Sequence, residues 1–418
     1  MPPHQNRLCA GIDIGTSKVA VAICENKEGL INISALGVAP SHGLRKGIIV
    51  DPEEVVTSLS QAIEDAEKMT GQSITDAVIG IGGVGIITSL SKGIVPITTP
   101  DCISEEDIQR VIDSARSVAL PPNFEIIHIY PIKFIIDRQE EVQDPLGMKG
   151  MRLEVEVMAV GAPTANVRKI SQIISQLGIN PLAMVVNPIA ASKAVLDKKQ
   201  KEIGVMLLDI GAATSSIAIY EESDLIHTTI LPVGSSHLTN DIAIGLKTTI
   251  DIAEKIKRQH LSLDNKKIKA TDKLDLSTIE TSEDGKVSKK QLAEVAEARL
   301  KELFTMIKDE IKKHKPDALL PGGIVLTGGG SKLDGLVTIV KEYMNLPAKE
   351  GDLTMDIGGT IDKLGDPRYS TSIGLALYGL EIPTQEGSSG KFSVAGIKNN
   401  SIGGLWTKVR KVFKQFSP

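Results

Sequence analysis

The chain is poor in aromatic residues and in cysteine. Only 3% of its 418 residues are Phe, Trp or Tyr, and it contains a single tryptophan. The three cysteines, Cys9, Cys24 and Cys102, are odd in number and share no metal-ligand spacing. The sequence therefore offers no cysteine-based metal site, and its cysteine content fits a reducing cytoplasm.

Long apolar runs are also missing. We find no stretch of about 18 uncharged apolar residues, so we expect no segment to span a bilayer. The first seven residues lack an apolar core and a cleavage site, so we expect no secretion signal. Basic and acidic residues are nearly balanced, at 47 and 52. That balance argues against bulk nucleic-acid binding, and we expect no nucleic-acid partner.

The charges are nevertheless unevenly distributed along the chain. From Lys391 onward there are six Lys or Arg and no Asp or Glu, so the net charge of −5 divides into +6 for this tail and −11 for residues 1–390. A basic terminus on an acidic body suggests a tail that binds a surface.

The most informative pattern occurs twice. Residues 10–22 and 206–218 each contain an apolar strand ending in Asp-Ile-Gly, a turn of small or hydroxyl residues, and a second apolar strand. Glycine lets the backbone approach a ligand closely, and the turn amides and hydroxyls can line an anion-binding concavity. Asp13 and Asp209 can hold Mg²⁺ through its bound waters. Two such hairpins predict a clamp that grips a polyphosphate from both sides.

Two similar glycine patterns receive simpler interpretations. A single Asp-Ile-Gly is more often an ordinary hairpin turn. We assign a third copy, at 356–358, to a loop because no apolar strand follows it. Gly80–Gly85 superficially matches a dinucleotide fingerprint, but it lacks the acidic residue and the helix start that such a site needs. We interpret it as a strand end that meets an inserted segment.

The length of the chain predicts at least two lobes, because 418 residues are more than a single hydrophobic core usually serves. Residues 7–38 read as three strands, followed by a helix from Pro52 to about Met69. The segment 85–162, with a capping box at Ser104–Asp107, reads as a small α+β insertion. The predicted elements of the second half are a repeated hairpin at 204–232, helices at about 236–246 and 249–261, a polar stretch at 264–287, a long helix over Lys289–Lys313, and a last helix at about 370–380.

A glycine run follows the predicted strand Gly323–Thr327. It comprises Gly328, Gly329 and Gly330, then Ser331, and we expect a helix to begin near Lys332. Such runs are often only tight turns. Next to two phosphate hairpins, backbone without side chains favours contact with a flat base and its ribose.

Glu254 and Lys257 lie three residues apart on one face of a predicted helix. A solvated ion pair is the simplest interpretation. Contacts of the carboxylate with ribose hydroxyls and of the ammonium with phosphates are expected only if this face lines the cleft.

The last residues form a second clear pattern. As a helix, residues 402–416 would separate an apolar face from a basic one. The membrane-binding residues predicted on these faces are Ile402, Leu405, Trp406, Lys408, Val409, Arg410, Lys411, Phe413, Lys414 and Phe416. Apolar anchors, an indole and cations favour a helix lying on an anionic lipid surface, joined to the body by a Gly/Ser/Asn-rich tether at 383–400. The alternatives are a core-packing helix and a calmodulin-type groove ligand.

These motifs together resemble the actin/Hsp70/sugar-kinase superfamily and, within it, the FtsA family of bacterial actin-like division proteins. The resemblance covers residues 7 to about 382, and the terminal helix is similar to that family's membrane-targeting sequence. It implies an α/β, actin-like two-lobed ATPase fold of duplicated ribonuclease H-like domains, with an inserted small α+β subdomain and a C-terminal amphipathic helix. The implied boundaries are 7–84 and 163–203 for the first lobe and 85–162 for the insertion. The second lobe would span 204–368, with about 247–318 as its outer subdomain. A connecting helix at 369–382, a linker at 383–400 and the membrane-targeting helix at 401–418 would follow.

The resemblance also implies ATP and Mg²⁺ as cofactors. The phosphate-binding residues carried over are Gly15, Thr16, Ser17, Lys18, Gly211, Ala212, Ala213, Thr214 and Ser215. Those for adenosine and ribose are Glu254, Lys257, Gly328, Gly329, Gly330 and Ser331, with Asp13 and Asp209 binding Mg²⁺ through waters. Asn187–Ala191 and Tyr369–Tyr378 look like the two connecting helices between the lobes.

The partners implied are copies of the chain itself in filaments, anionic membrane lipids, the C-terminal peptide of the tubulin-like FtsZ, and later divisome membrane proteins. The implied location is the cytoplasmic side of the cell membrane at the division septum. Arg299 is the candidate reader of an acidic peptide, with Lys289 nearby. A solvated basic helix face is an equally simple interpretation of the lysine.

One departure from the superfamily concerns hydrolysis. Actin-like proteins that turn over nucleotide orient water with a Gln or Glu near the first connecting helix, and the match here is Asn187, which is shorter and cannot act as a base. We therefore expect at most weak ATPase activity. Two alternatives stay open: a small-molecule kinase, for which we find no convincing base, and a pilus-assembly actin-like adaptor, which would not require the terminal helix.

Overall fold

The computed structural model describes residues 7–382 apart from short gaps. The gaps are 28–29, 118, 265–267, 270, 281–284, 315–319, 354–357 and 359–364. The predicted tether and amphipathic helix, and the first two residues of the third Asp-Ile-Gly, lie outside the described residues. Within the described part of the chain, no helix is both long and apolar enough to cross a membrane.

The first lobe begins with a β-meander and a helix. Its elements are β1 (Arg7–Ile14), β2 (Lys18–Lys27), β3 (Leu30–Pro40), β4 (Leu44–Arg45), β5 (Ile48–Ile49), α1 (Pro52–Thr70) and β6 (Asp76–Ile81). Helix α1 starts where the Asp51 side chain accepts hydrogen bonds from the amides of Glu53 and Glu54, and it ends at Gly71 in the left-handed conformation. The three predicted strands and this helix are confirmed.

The insertion is a four-stranded antiparallel sheet with one helix. Its elements are β7 (Ile87–Pro96), α2 (Glu105–Arg116), β8 (Phe124–Ile136), β9 (Glu140–Val142) and β10 (Arg152–Pro163), in the strand order β7-β10-β8-β9. The predicted capping box is present, because the Ser104 side chain binds the Asp107 amide and the Asp107 carboxylate binds the Ser104 amide. The α+β character of this segment is confirmed.

The first lobe then resumes and leads into the second. Its remaining elements are α3 (Thr164–Gln176), β11 (Asn180–Val186), α4 (Asn187–Val195) and α5 (Lys198–Ile203). Those of the second lobe are β12 (Val205–Ile210), β13 (Ser215–Glu221), β14 (Asp224–Leu231), α6 (Ser235–Leu246), α7 (Ile250–Gln259), β15 (Lys273–Asp275), β16 (Lys286–Ser288), α8 (Lys289–His314), β17 (Ile324–Thr327), α9 (Leu336–Met344) and β18 (Ala348–Glu350). Helix α10 (Ser370–Glu381) returns to the first lobe.

The two central sheets have the same topology. The first has the order β3-β2-β1-β6-β11 and the second the order β14-β13-β12-β17-β18. In each, the first strand is antiparallel to the second and parallel to the strand that follows the crossover. The duplication expected from two hairpins therefore extends to the whole five-stranded sheet.

The lobes share one apolar core, and α4 and α10 pack against each other inside it. Buried residues of the first sheet, such as Val78, and of the second, such as Leu207, belong to the same cluster. The two helices approach closely because Gly374 has no side chain. A Cβ there would lie 1.8 Å from the carbonyl oxygen of Ala190.

One sequence expectation was wrong in detail. The helix expected near Lys332 begins only at Leu336, because Gly329–Lys332 forms a 3₁₀ turn and Gly335 has a φ of 83°. The polar stretch 264–287 contains the paired strands β15 and β16. Of the third Asp-Ile-Gly, Gly358 is described, and its backbone hydrogen-bonds to Ile31 and Ile33 of β3.

Candidate functional site

The two predicted hairpins face each other across a cleft between the lobes. In the first, the Gly15 amide donates to the Lys18 carbonyl at 3.1 Å. In the second, the Gly211 amide donates to the Thr214 carbonyl at 2.9 Å. Because the backbone closes both turns in the same way, the hydroxyl-bearing residues between strands lie at the mouth of each hairpin. The cavity between the hairpins is narrow in this structure, at about 80 Å³, below the range of about 300–1,000 Å³ for small-molecule sites, so a ligand of nucleotide size would need a wider cleft.

Most of the predicted phosphate-binding residues line this cleft, and two do not. The lining residues include Gly15, Thr16, Ser17, Lys18, Gly211, Ala212 and Thr214, together with Asp13 and Asp209. Ala213 and Ser215 are buried, at 8% and 0% exposed, and are not among the lining residues. The second turn is also anchored from behind, because the Ala212 carbonyl accepts hydrogen bonds from the amide and hydroxyl of Ser236 at the start of α6.

Asp13 and Asp209 lie at the floor of the cleft, and each is bound by a connecting helix. Asn187, the first residue of α4, donates its amide N–H to Asp13 Oδ1 at 3.1 Å. Thr371, in the first turn of α10, donates its hydroxyl to Asp209 Oδ2 at 3.4 Å. Helix N-termini favour nearby negative charge. The two carboxylates thus occupy equivalent positions in the duplicated fold.

Burial makes the charge on these carboxylates costly. It raises the pKa of Asp209 to about 6, with the nearby Asp13 carboxylate contributing in the same direction. Burial also raises the pKa of Asp13, although the Lys18 ammonium and the Asn187 hydrogen bond oppose that shift. A buried carboxylate, Asp13, and a half-buried one, Asp209, beside one ammonium form an environment that a further cation would stabilise.

The residues present fit a magnesium ion bound to a nucleoside triphosphate. Asp13 and Asp209 would hold the ion through its water molecules, as Mg²⁺ prefers. The Asn187 side-chain oxygen is buried, with no hydrogen-bond partner in the described structure, and could accept a hydrogen bond from such a water. A bound Mg²⁺ would neutralise phosphate charge there, while Lys18 supplies a second positive charge.

Glycines keep the walls of the cleft open. Gly328 has a φ of 83°, and a Cβ there would lie 2.1 Å from Asp209 Oδ1. Gly328 and Gly329 line the cleft, as predicted. Gly330 and Ser331 are buried behind it, where the Ser331 hydroxyl donates to the Gly328 carbonyl at 2.8 Å. These last two shape the turn and are not among the lining residues.

Glu254 and Lys257 form the expected ion pair, but they are not among the residues that line the cleft. The Lys257 ammonium is buried and donates to the Thr239 hydroxyl at 2.8 Å and to the Ser235 carbonyl at 3.1 Å. Glu254 accepts from the same Thr239 hydroxyl at 2.6 Å. In this structure the pair therefore ties α7 to α6, and its role towards ribose stays a prediction.

Arg299 lies in the middle of α8 and already has acidic partners. Its guanidinium donates to both carboxylate oxygens of Asp241, at 2.7 and 2.8 Å, and to Glu302. Lys289 is the first residue of α8, about 15 Å along the helix from Arg299. The structure therefore does not place these two predicted residues side by side.

Several cleft residues were missed by the sequence reasoning. Gly82 and Gly83 belong to the glycine run that we had interpreted as a simple strand end, and they line the cleft together with Gly47. Gly47 and Gly83 touch, because a Cβ on either would lie within 2.6 Å of the other's backbone. Arg368 and Thr371 also line the cleft. The run of glycines at 80–85 was the sequence feature that could have indicated these cleft residues.

Comparisons with known proteins agree with this architecture. A family model described as "Cell division protein FtsA" matches residues 206–374, and one described as "SHS2 domain inserted in FTSA" matches residues 83–160. The Cell division protein FtsA of Pseudomonas aeruginosa is 36% identical over 379 residues, which cover 90% of each chain.

Solved structures show the same fold at lower identity. The PilM-PilN type IV pilus biogenesis complex matches with a TM-score of 0.63 at 17% identity, over 89% of this chain and 98% of that one. MreB5 of Spiroplasma citri bound to ADP matches with a TM-score of 0.53 at 13% identity, over 90% and 97%. At these identities the likeness establishes the actin-like fold.

The buried carboxylates predict a pH-dependent stability. Because the folded-state pKa of Asp209 lies above its ordinary value of 3.8, the stabilisation from the protonated carboxyl is complete below pH 3.8 and is lost as the pH rises through about 6. Asp209→Asn stays neutral. In EDTA without nucleotide, it should raise the melting temperature at pH 7.5 by roughly 2–6 °C.

The gain should shrink when the same melts are recorded at pH 5, where wild-type Asp209 takes up its proton. Asp113→Asn, at an exposed position of α2, is the matched control and should change little at either pH. A melting temperature for Asp209→Asn equal to wild type at pH 7.5 would contradict the assignment of a costly charge to this site.

Proposed function

The chain belongs to the FtsA family of cell division proteins, and from this premise we propose that it is an ATP-binding, actin-like protein that assembles on the inner face of the cytoplasmic membrane and anchors FtsZ there. The observation that carries the nucleotide part is the pair of hairpins whose aspartates meet in one cleft. Each lobe supplies one phosphate loop and one carboxylate. A bound Mg-ATP would therefore contact both lobes at once and favour the arrangement in which they are close.

ATP acts here mainly as a structural ligand. Asn187 occupies the position from which a Gln or Glu would orient the attacking water, and its amide N–H is engaged with Asp13. The Asn side chain is one methylene shorter than that of Gln, so it reaches less far towards an attacking water. We therefore propose that nucleotide binding controls assembly while hydrolysis is slow.

The nucleotide proposal is tested by calorimetric titration of ATP with Mg²⁺ and, separately, with EDTA. Asp209→Asn should lower the affinity for Mg-ATP at least about tenfold, because a charged hydrogen-bonding group is worth about 1.5–3 kcal/mol. In EDTA the same variant should bind ATP as well as or better than wild type, since it removes a negative charge next to the phosphates.

Lys18→Ala is the comparison variant, because it should lose affinity in both conditions. Lys68→Ala, at an exposed position of α1, should behave as wild type in both. Unchanged Mg-ATP affinity in Asp209→Asn would remove Asp209 from the site.

Membrane anchoring rests on the sequence of the terminal segment. Trp406 and Phe413 supply apolar anchors, and Lys408, Arg410 and Lys411 supply positive charge. Each basic residue near an anionic surface contributes about 1 kcal/mol. One tail should therefore bind reversibly, and several tails on one filament should bind firmly through avidity. In this proposal, assembly and membrane attachment reinforce each other, and the attached filament recruits later divisome proteins.

Co-sedimentation with vesicles tests the anchoring proposal. With vesicles containing anionic lipid, full-length protein should pellet, whereas a chain ending at Pro383 should stay in solution. Lys411→Glu, which reverses one charge without shortening the chain, should give intermediate binding that falls further with salt. Equal pelleting of the full-length and shortened chains would reject the tail as the anchor.

The FtsZ part of the proposal concerns Arg299. Three of the five N–H groups of its guanidinium are used by Asp241 and Glu302 in the described structure, so two remain to meet a peptide carboxylate. An acidic peptide would bind a guanidinium that is already positioned but partly neutralised. We propose that Asp241 orients Arg299 and also moderates its affinity for the peptide.

This gives two variants with opposite effects on binding of an FtsZ C-terminal peptide, measured by fluorescence anisotropy. Arg299→Glu should weaken binding at least about tenfold, because a charge-assisted hydrogen bond becomes a repulsion. Asp241→Asn should strengthen binding, because it removes a competing charge. Lys312→Glu, near the end of the same helix, is the control for general charge. If Arg299→Glu and Lys312→Glu have equal effects, Arg299 is not a specific contact.

A further inference from the structure

A group of three potential metal ligands lies in the second lobe, away from the nucleotide cleft. His227 is on β14, and Glu310 and His314 are one turn apart at the end of α8. Their ligand atoms all lie within 4.8 Å of one another. Among the residues that the structure describes, no other set of three His, Cys, Asp or Glu side chains comes this close.

The distances between these atoms suit a small divalent ion. His227 Nε2 lies 3.2 Å from Glu310 Oε2, and His314 Nε2 lies 3.6 Å from the same oxygen. In a tetrahedral zinc site with bonds of about 2.0–2.2 Å, neighbouring ligand atoms are about 3.3–3.6 Å apart. One of the three edges, at 3.6 Å, already has this length, and a second, at 3.2 Å, is slightly shorter. A spacing of four residues places Glu310 and His314 on one helix face.

Binding of an ion would require one of the two imidazole rings, of His227 or His314, to turn. The two imidazoles are stacked, with centroids 3.8 Å apart and planes 13° apart. An ion cannot lie in the plane of both rings while they are parallel. His227 is fixed by burial at 3% exposed, whereas the His314 side chain is 27% exposed and sits at the end of its helix. Rotation of the His314 ring therefore completes the site without moving the core.

The cluster is also accessible to an ion from solution. His314 lines a surface cleft between the insertion and the second lobe, together with residues of β7 and of the β13–β14 turn. Acidic side chains at this cleft, including Glu221, Glu222 and Asp224, would attract cations. Glu310 is itself partly exposed, at 26%. The approach to His314 is therefore open, and the acidic side chains of this cleft outnumber its one lysine, Lys133.

We propose that His227, Glu310 and His314 form a binding site for one divalent transition metal ion of the zinc type. Two imidazoles and one carboxylate match the ligand preference of Zn²⁺, whereas Mg²⁺ prefers oxygen ligands. Three protein ligands leave a fourth position for water or for a group from a partner. This site is separate from Asp13 and Asp209, so Mg²⁺ and the transition metal would not compete.

The bound ion would join α8 to β14 at the place where the second lobe meets the insertion. Thr228, next to His227, exchanges hydrogen bonds with Thr88 of β7: the Thr88 hydroxyl donates to the Thr228 carbonyl at 2.7 Å, and the Thr228 amide donates back at 3.3 Å. The ion would therefore tie the end of α8 to the strand that holds the insertion. The ion would stabilise the folded chain by an amount that grows with the logarithm of the free ion concentration relative to its Kd.

The experiment uses untagged full-length protein in millimolar Mg²⁺, so that hard-cation sites are filled. Zn²⁺ affinity is measured by competition with a chromophoric chelator, and Co²⁺ is titrated as a visible-absorption probe of coordination. Wild type should bind one equivalent of Zn²⁺, and Co²⁺ should give the intense visible bands of a tetrahedral site. His314→Gln and Glu310→Gln should each lower the Zn²⁺ affinity at least about tenfold, since even outer-shell changes cost about 10–100-fold.

His260→Gln is the matched control, because His260 lies in the same lobe outside the cluster, and it should bind as wild type. Unchanged ATP binding in all three variants shows that they are folded. No saturable Zn²⁺ binding by wild type would overturn the proposal. Wild-type affinity in either His314→Gln or Glu310→Gln would also overturn it.

Discussion

The burial of two like charges at the junction of the lobes is the constraint on which the rest of the structure depends. Asp13 and Asp209 come from equivalent strands of a duplicated sheet; desolvation raises the pKa of both, and the Asp13 carboxylate raises the pKa of Asp209 further. The first turns of α4 and α10 compensate part of this cost through Asn187 and Thr371. A bound cation would offset the rest of the cost of ionising the two carboxylates. The ligand-free protein thus carries a local instability that binding would relieve.

Much of the fold could be predicted because the repeated hairpin has a strong local signal. Apolar alternation, a glycine turn and a second apolar run identify β1–β2 and β12–β13 without tertiary information. Where prediction failed, the signal was short or depended on backbone angles. Strands β15 and β16 have three residues each, too few to show a period. The late start of α9 depends on the left-handed Gly335, which hydrophobic periodicity does not report.

The candidate site was predictable in its chemistry but less so in its walls. Asp13 and Asp209, near the ends of the first strands of the two hairpins, lie in the cleft as the repeated pattern predicts. By contrast, Gly47 reaches the cleft only because it packs on Gly83 from a separate turn. Glu254 and Lys257 are a different case. Their spacing predicts the ion pair that the structure contains, but their position against α6 depends on tertiary packing, which the spacing does not report. Contacts between distant segments are where sequence patterns carry the least information.

The close crossing of α4 and α10 has a mechanical consequence. Gly374 brings one helix backbone against another, and the apolar cluster around them includes buried residues of both sheets. Pulling the lobes apart would expose that shared interior to water, which is costly. A motion that keeps α4 and α10 in contact leaves this interior buried. A rotation of the lobes about this crossing would change the width of the nucleotide cleft while leaving the covalent and apolar connection between the lobes intact.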